Sequence, residues 1–217
     1  MNVADIRSEF VRKYRAEEFV TDKTGVKMVE IVGQSFVADA DTIFGEVNHE
    51  YIARELEWYK SQSLNVNLIP PPVPAIWKQV ATPAGFINSN YGYLMYSAEN
   101  GSQFSNVVSA LLQHRETRRA TAIYTRPSMH TDFNAGGMSD FICTNAVSYL
   151  IRDNKLNAVV QMRSNDAIFG YKNDIAWQRT VLAEVAACYN GLATRTEKGV
   201  EPITLGNIHW NASSLHC

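Results

Sequence analysis

An α+β domain is the architecture this chain predicts, and three observations lead there. Amphipathic helical stretches and β-branched runs alternate without the strand–helix–strand rhythm of a doubly wound sheet, which favours layered packing of a mixed sheet under helices. Two extended runs, 141–152 and 156–162, flank a short polar turn and read as a strand and its return. The chain has 217 residues, 46% of them hydrophobic, enough to fill one sizeable core over residues 1–217.

The elements follow in order. Residues 2–18 set Ile6, Phe10, Val11 and Tyr14 at helical spacing, so a short amphipathic helix is expected. Residues 27–33 read as a strand, followed by a second extended piece at 35–38. A helix over 46–61 carries Tyr51, Ile52, Leu56, Trp58 and Tyr59 on a broad apolar face. Between Leu68 and Pro74 there are four prolines, which impose an extended connection. Residues 107–114 are expected to be helical, and 119–125, rich in β-branched residues, to form a strand. After the strand pair at 141–162, a helix opens at Asn173 or Asp174 and stops at Gly191.

Composition excludes several classes of function. Net charge is −2, so the basic excess of a general nucleic-acid binder is missing. Cys143, Cys188 and Cys217 are odd in number and widely spaced, which suits a reducing cytoplasm better than a disulfide framework. His49, His114, His130 and His209 have no metal-ligand spacing, so no metal is expected. The glycines form neither common phosphate-cradling loop. There is no signal-peptide pattern and no apolar run long enough to span a bilayer, so no membrane partner is expected.

Individual residues leave alternatives open. Cys143 is a candidate nucleophile, yet an isolated cysteine is more often a small buried hydrophobe. Glu55 shares a helix face with Tyr51 and Trp58. It either sits desolvated on that face, ready to move protons, or reaches water at its rim, and pattern alone favours the rim. Arg118, Arg119 and Arg163 lie at strand ends, where arginine either grips phosphate, with help from Ser164, or is simply solvated. Asn173 and Asp174 suit N-capping, but a carboxylate at 174 could also accept from the exocyclic amine of cytosine.

Read together, these segments resemble the thymidylate synthase family. Asp22-Lys23-Thr24-Gly25 is similar to its N-terminal phosphate loop, and Arg54-Glu55-Leu56-Glu57-Trp58 to its catalytic-glutamate helix. Trp77 and Asn90-Tyr91-Gly92 resemble its folate-side elements, Thr117-Arg118-Arg119 its paired arginines, and Cys143 its nucleophile. Arg163-Ser164-Asn165-Asp166, Gly170 and Asn173-Asp174-Ile175-Ala176 complete the core. Asp174 stands where uracil-reading members carry asparagine, Thr144 where they carry histidine, and Lys23 where they usually carry arginine.

The resemblance implies a branch that hydroxymethylates dCMP with 5,10-methylenetetrahydrofolate as donor. Catalysis would rest on Cys143, Glu55 and Asp174. Substrate binding would fall to Lys23, Arg118, Arg119, Arg163, Ser164, Asn165, Asp174 and His216, and folate contact to Trp77, Asp166 and Tyr91. It also implies a homodimer through a sheet face, with Arg118 and Arg119 reaching the partner's site, and a setting in the cytoplasm of a phage-infected bacterium, where a nucleotide-synthesis complex is a further partner. Methylation of dUMP, hydroxymethylation of dUMP or CMP, and a non-catalytic scaffold are the alternatives. The chain ends at Leu215-His216-Cys217, so the family's closing C-terminal segment is expected to be absent.

Overall fold

The computed structural model describes residues 1–22, 24–196 and 201–217. Lys23, expected at the phosphate, lies outside the described residues.

Helix α1 (Val3–Arg15) is capped by Asn2 and Asp5, which bond each other's backbone amides reciprocally. It buries Val3, Ile6 and Phe10, while Val11 and Tyr14, expected on the same face, are exposed. A short hairpin, β1 (Val20–Thr21) and β2 (Lys27–Met28), leads into β3 (Glu30–Val37). The two expected extended pieces are therefore one strand, carried through Gly33 at positive φ. Next come α2 (His49–Ser61), α3 (Ala75–Val80), α4 (Tyr91–Tyr96), α5 (Gln103–Gln113), β4 (Thr121–Ile123) and α6 (Met129–Asp132). Then follow β5 (Thr144–Arg152), β6 (Lys155–Met162), β7 (Asn165–Asp166), α7 (Tyr171–Thr196) and β8 (Thr204–His216).

The main sheet runs β3-β8-β6-β5-β4, with β7 alongside the end of β8. β6 and β8 are parallel and the other main neighbours antiparallel, so the sheet is mixed. The expected hairpin is in place, with Arg152 facing Lys155 across its turn. The helix expected to stop at Gly191 continues to Thr196. A Cβ at Gly191 would touch nothing, and one helical glycine costs about 1 kcal/mol, little against the packing of a long buried helix.

One face of the sheet carries the core. Val147, Tyr149, Ile151, Leu156, Ala158, Val160, Ile208, Trp210 and Ala212 alternate inward with strand period, and α7 adds Tyr171, Ile175, Trp177, Val181 and Val185 from above. The Asn90-Tyr91-Gly92 element gains a packing explanation. Asn90 Nδ2 bonds the carbonyls of Trp58 and Ser63 at 3.1 and 2.8 Å. A Cβ at Gly92 would stand 1.7 Å from the Tyr59 carbonyl oxygen, so only glycine lets α4 meet α2. That contact fixes Tyr91 beside the residues described next. No helix of the described residues is long and apolar enough to cross a membrane.

Candidate active site

The sheet and two helices bring distant residues into one cluster. Cys143 immediately precedes β5, and Arg163 immediately follows β6. The Arg163 amide bonds the Cys143 carbonyl at 2.9 Å, so strand pairing itself sets the two side by side. The guanidinium bonds the carbonyls of Ile142 at 3.0 Å and Phe141 at 2.6 Å, and lies 4.8 Å above the Phe141 ring. Nη2 also reaches the Cys143 sulfur at 3.5 Å. Burial pushes the thiol up to about 11, Asp174 and Asp140 push the same way, and Arg163 opposes them.

β7 aims the next pair. Asp166 Oδ1 accepts the amides of Ile168 and Phe169, both at 2.7 Å, closing the turn that starts α7. The amides of Asn173 and Asp174 both bond the Gly170 carbonyl at 3.0 Å, so neither residue is the N-cap that the sequence allowed. Asp174 lies in the first helical turn, and its Oδ2 accepts from Asn165 Nδ2 at 2.7 Å. Burial, then the nearby Glu55, raise the Asp174 carboxyl to about 8, against opposing bonds from Asn165 and Tyr91.

From the other side, α2 contributes Glu55, only 4% exposed. The rim position that pattern favoured is thus corrected: close packing of α2 against α4 and α7 encloses the carboxyl. Tyr51, one turn earlier, donates its hydroxyl to Glu55 Oε1, and Trp77 Nε1 donates to that hydroxyl at 2.9 Å. An indole is a donor only, so the phenol must spend its own proton on the glutamate. Burial raises Glu55 to about 7, with Tyr51 and Trp77 pulling it back. Tyr91 is buried, and its hydroxyl is pushed up first by burial, then by Asp174 and Cys143, with Thr144 opposing. Sequence reasoning placed Tyr51 on the same helix face as Glu55 from their i, i+4 spacing but gave it no role in the site.

Other expected residues fall differently. Ser164 is half-buried between Arg163 and Asn165. His216, at the end of β8, pairs in register with Asp166 and with Glu30, and its ring meets the Ser214 hydroxyl at 3.4 Å. Trp77 is half-buried, edge-on to Trp58 at 5.2 Å. Arg118 and Arg119 are exposed beside edge strand β4, and the structure does not bring them to Cys143 within one chain.

A half-buried thiol beside a guanidinium, with two buried carboxyls held protonated or nearly so, is a site for nucleophilic addition with proton transfer. This site on a mixed sheet belongs to a known class: the family "Thymidylate synthase" matches residues 12–209, and the chain is a member of it. Among relatives, the "Deoxycytidylate 5-hydroxymethyltransferase" proteins of Enterobacteria phages T4 and T6 are each 52% identical over 217 residues, covering 100% of this chain and 86% of theirs. A thymidylate synthase of Francisella philomiragia is 26% identical over 71% of this chain and 62% of its own. Among solved structures, the thermostable thymidylate synthase A of Bacillus subtilis aligns with TM-score 0.71 at 16% identity, covering 100% of this chain and 79% of that one. The thymidylate synthase of T4 phage aligns with TM-score 0.68 at 18% identity, covering 91% and 70%.

Proposed function

We propose that this chain is a folate-dependent transferase that adds a one-carbon unit and water to C5 of dCMP, giving 5-hydroxymethyl-dCMP. Asp174 carries the reading. A carboxyl that stays protonated near neutral pH offers a donor and an acceptor side by side, the complement of N3 and the exocyclic amine of cytosine. The named relatives at 52% identity support the same substrate. Residues 1–217 act as one catalytic domain in this reading.

Each residue then has a role. Cys143 adds to C6 once its proton has left, with Arg163 favouring the thiolate. Electron density passes to C5 and N3, where Asp174 supplies the neutralising proton contact, a stabilisation that grows as the reaction proceeds. C5 forms the new carbon–carbon bond and loses its proton, the bond from that carbon to the folate nitrogen breaks so that tetrahydrofolate departs, water adds to the exocyclic carbon, and expulsion of the sulfur restores the ring double bond. Glu55, near 7, is suited to holding that water and moving its proton, and Tyr51 fixes the carboxyl through one of its oxygens. 5,10-Methylenetetrahydrofolate supplies the carbon when bound. The donor set suits it: the Trp77 ring offers a stacking face, and Asp166, whose Oδ1 closes the turn, has no hydrogen bond to Oδ2 among the described residues. Tyr91 links the folate side to the proton-moving residues.

Arg163 and Ser164 hold the 5′-phosphate with Lys23, and His216 faces the sugar. Arg118 and Arg119 of a second copy complete the grip. The outward face of the sheet, with Val32 77% and Ile123 59% exposed, supports pairing of two copies there. The test is incubation with dCMP and 5,10-methylenetetrahydrofolate. Hydroxymethyl product with tetrahydrofolate is expected; dihydrofolate with a methylated product would identify a methyl transferase, and binding without turnover a scaffold.

A further inference from the structure

The geometry points to Asn165 as a positioning residue that decides which oxygen of Asp174 carries the proton, and thereby enforces cytosine over uracil. This rests on the reading of Asp174 given above. Asn165 is 3% exposed, and its Nδ2 donates to Asp174 Oδ2 at 2.7 Å. Its Oδ1 is enclosed and without a partner among the described residues. Leaving a buried acceptor unspent is unfavourable, so such an amide is kept for what its other end does. Here the other end is a donor fixed on the carboxyl of the base reader.

The consequence is a constraint on the proton. An amide N–H bonds well to an unprotonated carboxyl oxygen and poorly to a hydroxyl. With Asn165 on Oδ2, the proton of Asp174 belongs on Oδ1. Oδ2 retains a second lone pair, which accepts from the exocyclic amine of cytosine while Oδ1–H faces N3. Uracil presents the reverse pattern, a donor at N3 and an acceptor at O4, and would require the proton on Oδ2, at the expense of the Asn165 bond. Without Asn165, Asp174 tolerates either arrangement, since a carboxyl places its proton on whichever oxygen the ligand favours and the neighbouring Tyr91 hydroxyl can donate or accept. Asn165 removes that freedom. It was expected at the substrate, and the contact it makes in the ligand-free chain is with Asp174.

The experiment measures tritium release from 5-labelled dCMP and dUMP in the presence of 5,10-methylenetetrahydrofolate, and compares kcat/KM for the two. Asn165→Ala should lower the dCMP-to-dUMP ratio by about tenfold, the equivalent of one buried hydrogen bond, mostly through KM for dUMP. Asn165→Asp replaces the donor with a carboxyl of the same size. Its discrimination should recover as the pH falls and the introduced carboxyl gains a proton to donate, and decline as the pH rises. A residue with a purely structural role would give no such dependence. An unchanged ratio in Asn165→Ala, or a pH-independent ratio in Asn165→Asp, overturns the inference. If Asp174→Asn also keeps full dCMP preference, the reading of Asp174 fails with it; if only the Asn165 variants are silent, this inference alone is lost.

Discussion

The base side and the phosphate side of the site are assembled in different ways. Glu55, Tyr51, Trp77, Asn165, Asp174 and Tyr91 come from five elements of one chain and bond or polarise one another before any ligand arrives. Of the residues proposed to hold phosphate, Arg163 and Ser164 are half-buried beside Cys143 and Asn165, while Arg118 and Arg119 are exposed beside edge strand β4. The physical reason is the different cost of burial. A carboxyl can be enclosed early because it takes up a proton and becomes neutral, and enclosure is what gives it a useful pKa. Arginine cannot shed its charge, so enclosing two more guanidinium groups without their anion would be strongly unfavourable. Arg163 avoids that cost by bonding two backbone carbonyls. In the proposed dimer, the remaining full charges arrive with the phosphate and the second chain.

The contrast can be broken at its centre first. Cys143→Ala should abolish tritium release from 5-labelled dCMP while leaving nucleotide binding measurable, because the thiol belongs to neither side's recognition. Continued release would remove Cys143 as the nucleophile. Next in size, Asp174→Asn should move preference from dCMP toward dUMP, by on the order of a hundredfold in the ratio of kcat/KM, since Asn165 can turn its amide to accept from the new Nδ2, which then faces O4 of uracil while Oδ1 faces N3–H. An unchanged ratio would place base recognition elsewhere.

The phosphate side is tested by mixing subunits. Arg119→Ala and Cys143→Ala proteins should each be nearly inactive, yet reassociated together they should regain about a quarter of wild-type activity. Half the dimers are then mixed, and each has one intact site. No recovery would mean that the arginines act within their own chain or not at all.

A last effect concerns stability and pH. Glu55 and Asp174 hold protons in the folded chain up to about 7 and about 8, whereas unfolded carboxyls release theirs near pH 4. Between those limits the folded state binds more protons, so these two groups lower stability as the pH rises through their folded values. Asp174→Asn should therefore be more stable than wild type at pH 9, by about 1.4 kcal/mol for each pKa unit relieved, with the gap narrowing toward pH 5. Equal melting temperatures at both pH values would show that the carboxyl is not desolvated in the ligand-free protein.

Local pattern carried much of the fold. The hairpin between β5 and β6, helix α2 and the start of α7 follow from alternation, helical spacing and turn residues, and the structure places them close to expectation. Strand β8 was not assigned, because His209, Asn211 and Ser213 break its apolar character and its pairing partners lie far away in sequence. Glu55 was misjudged for a related reason. Spacing showed which face it occupies, but its burial depends on α4 passing at Gly92 and on α7 closing the other side. The Asn165–Asp174 contact likewise joins residues nine apart across a turn whose shape Asp166 sets.

The amino-acid sequence by itself determined the inventory and the class: a thiol, its arginine, two acids and the segments that carry them, in the order of the thymidylate synthase family. Residue type and local spacing are enough for that, because they fix which chemistry is available and which elements form. Only the tertiary structure decided the protonation of Glu55 and Asp174 and the partner each oxygen meets. Those properties come from exclusion of water and from distances between segments far apart in the chain, which no local pattern contains.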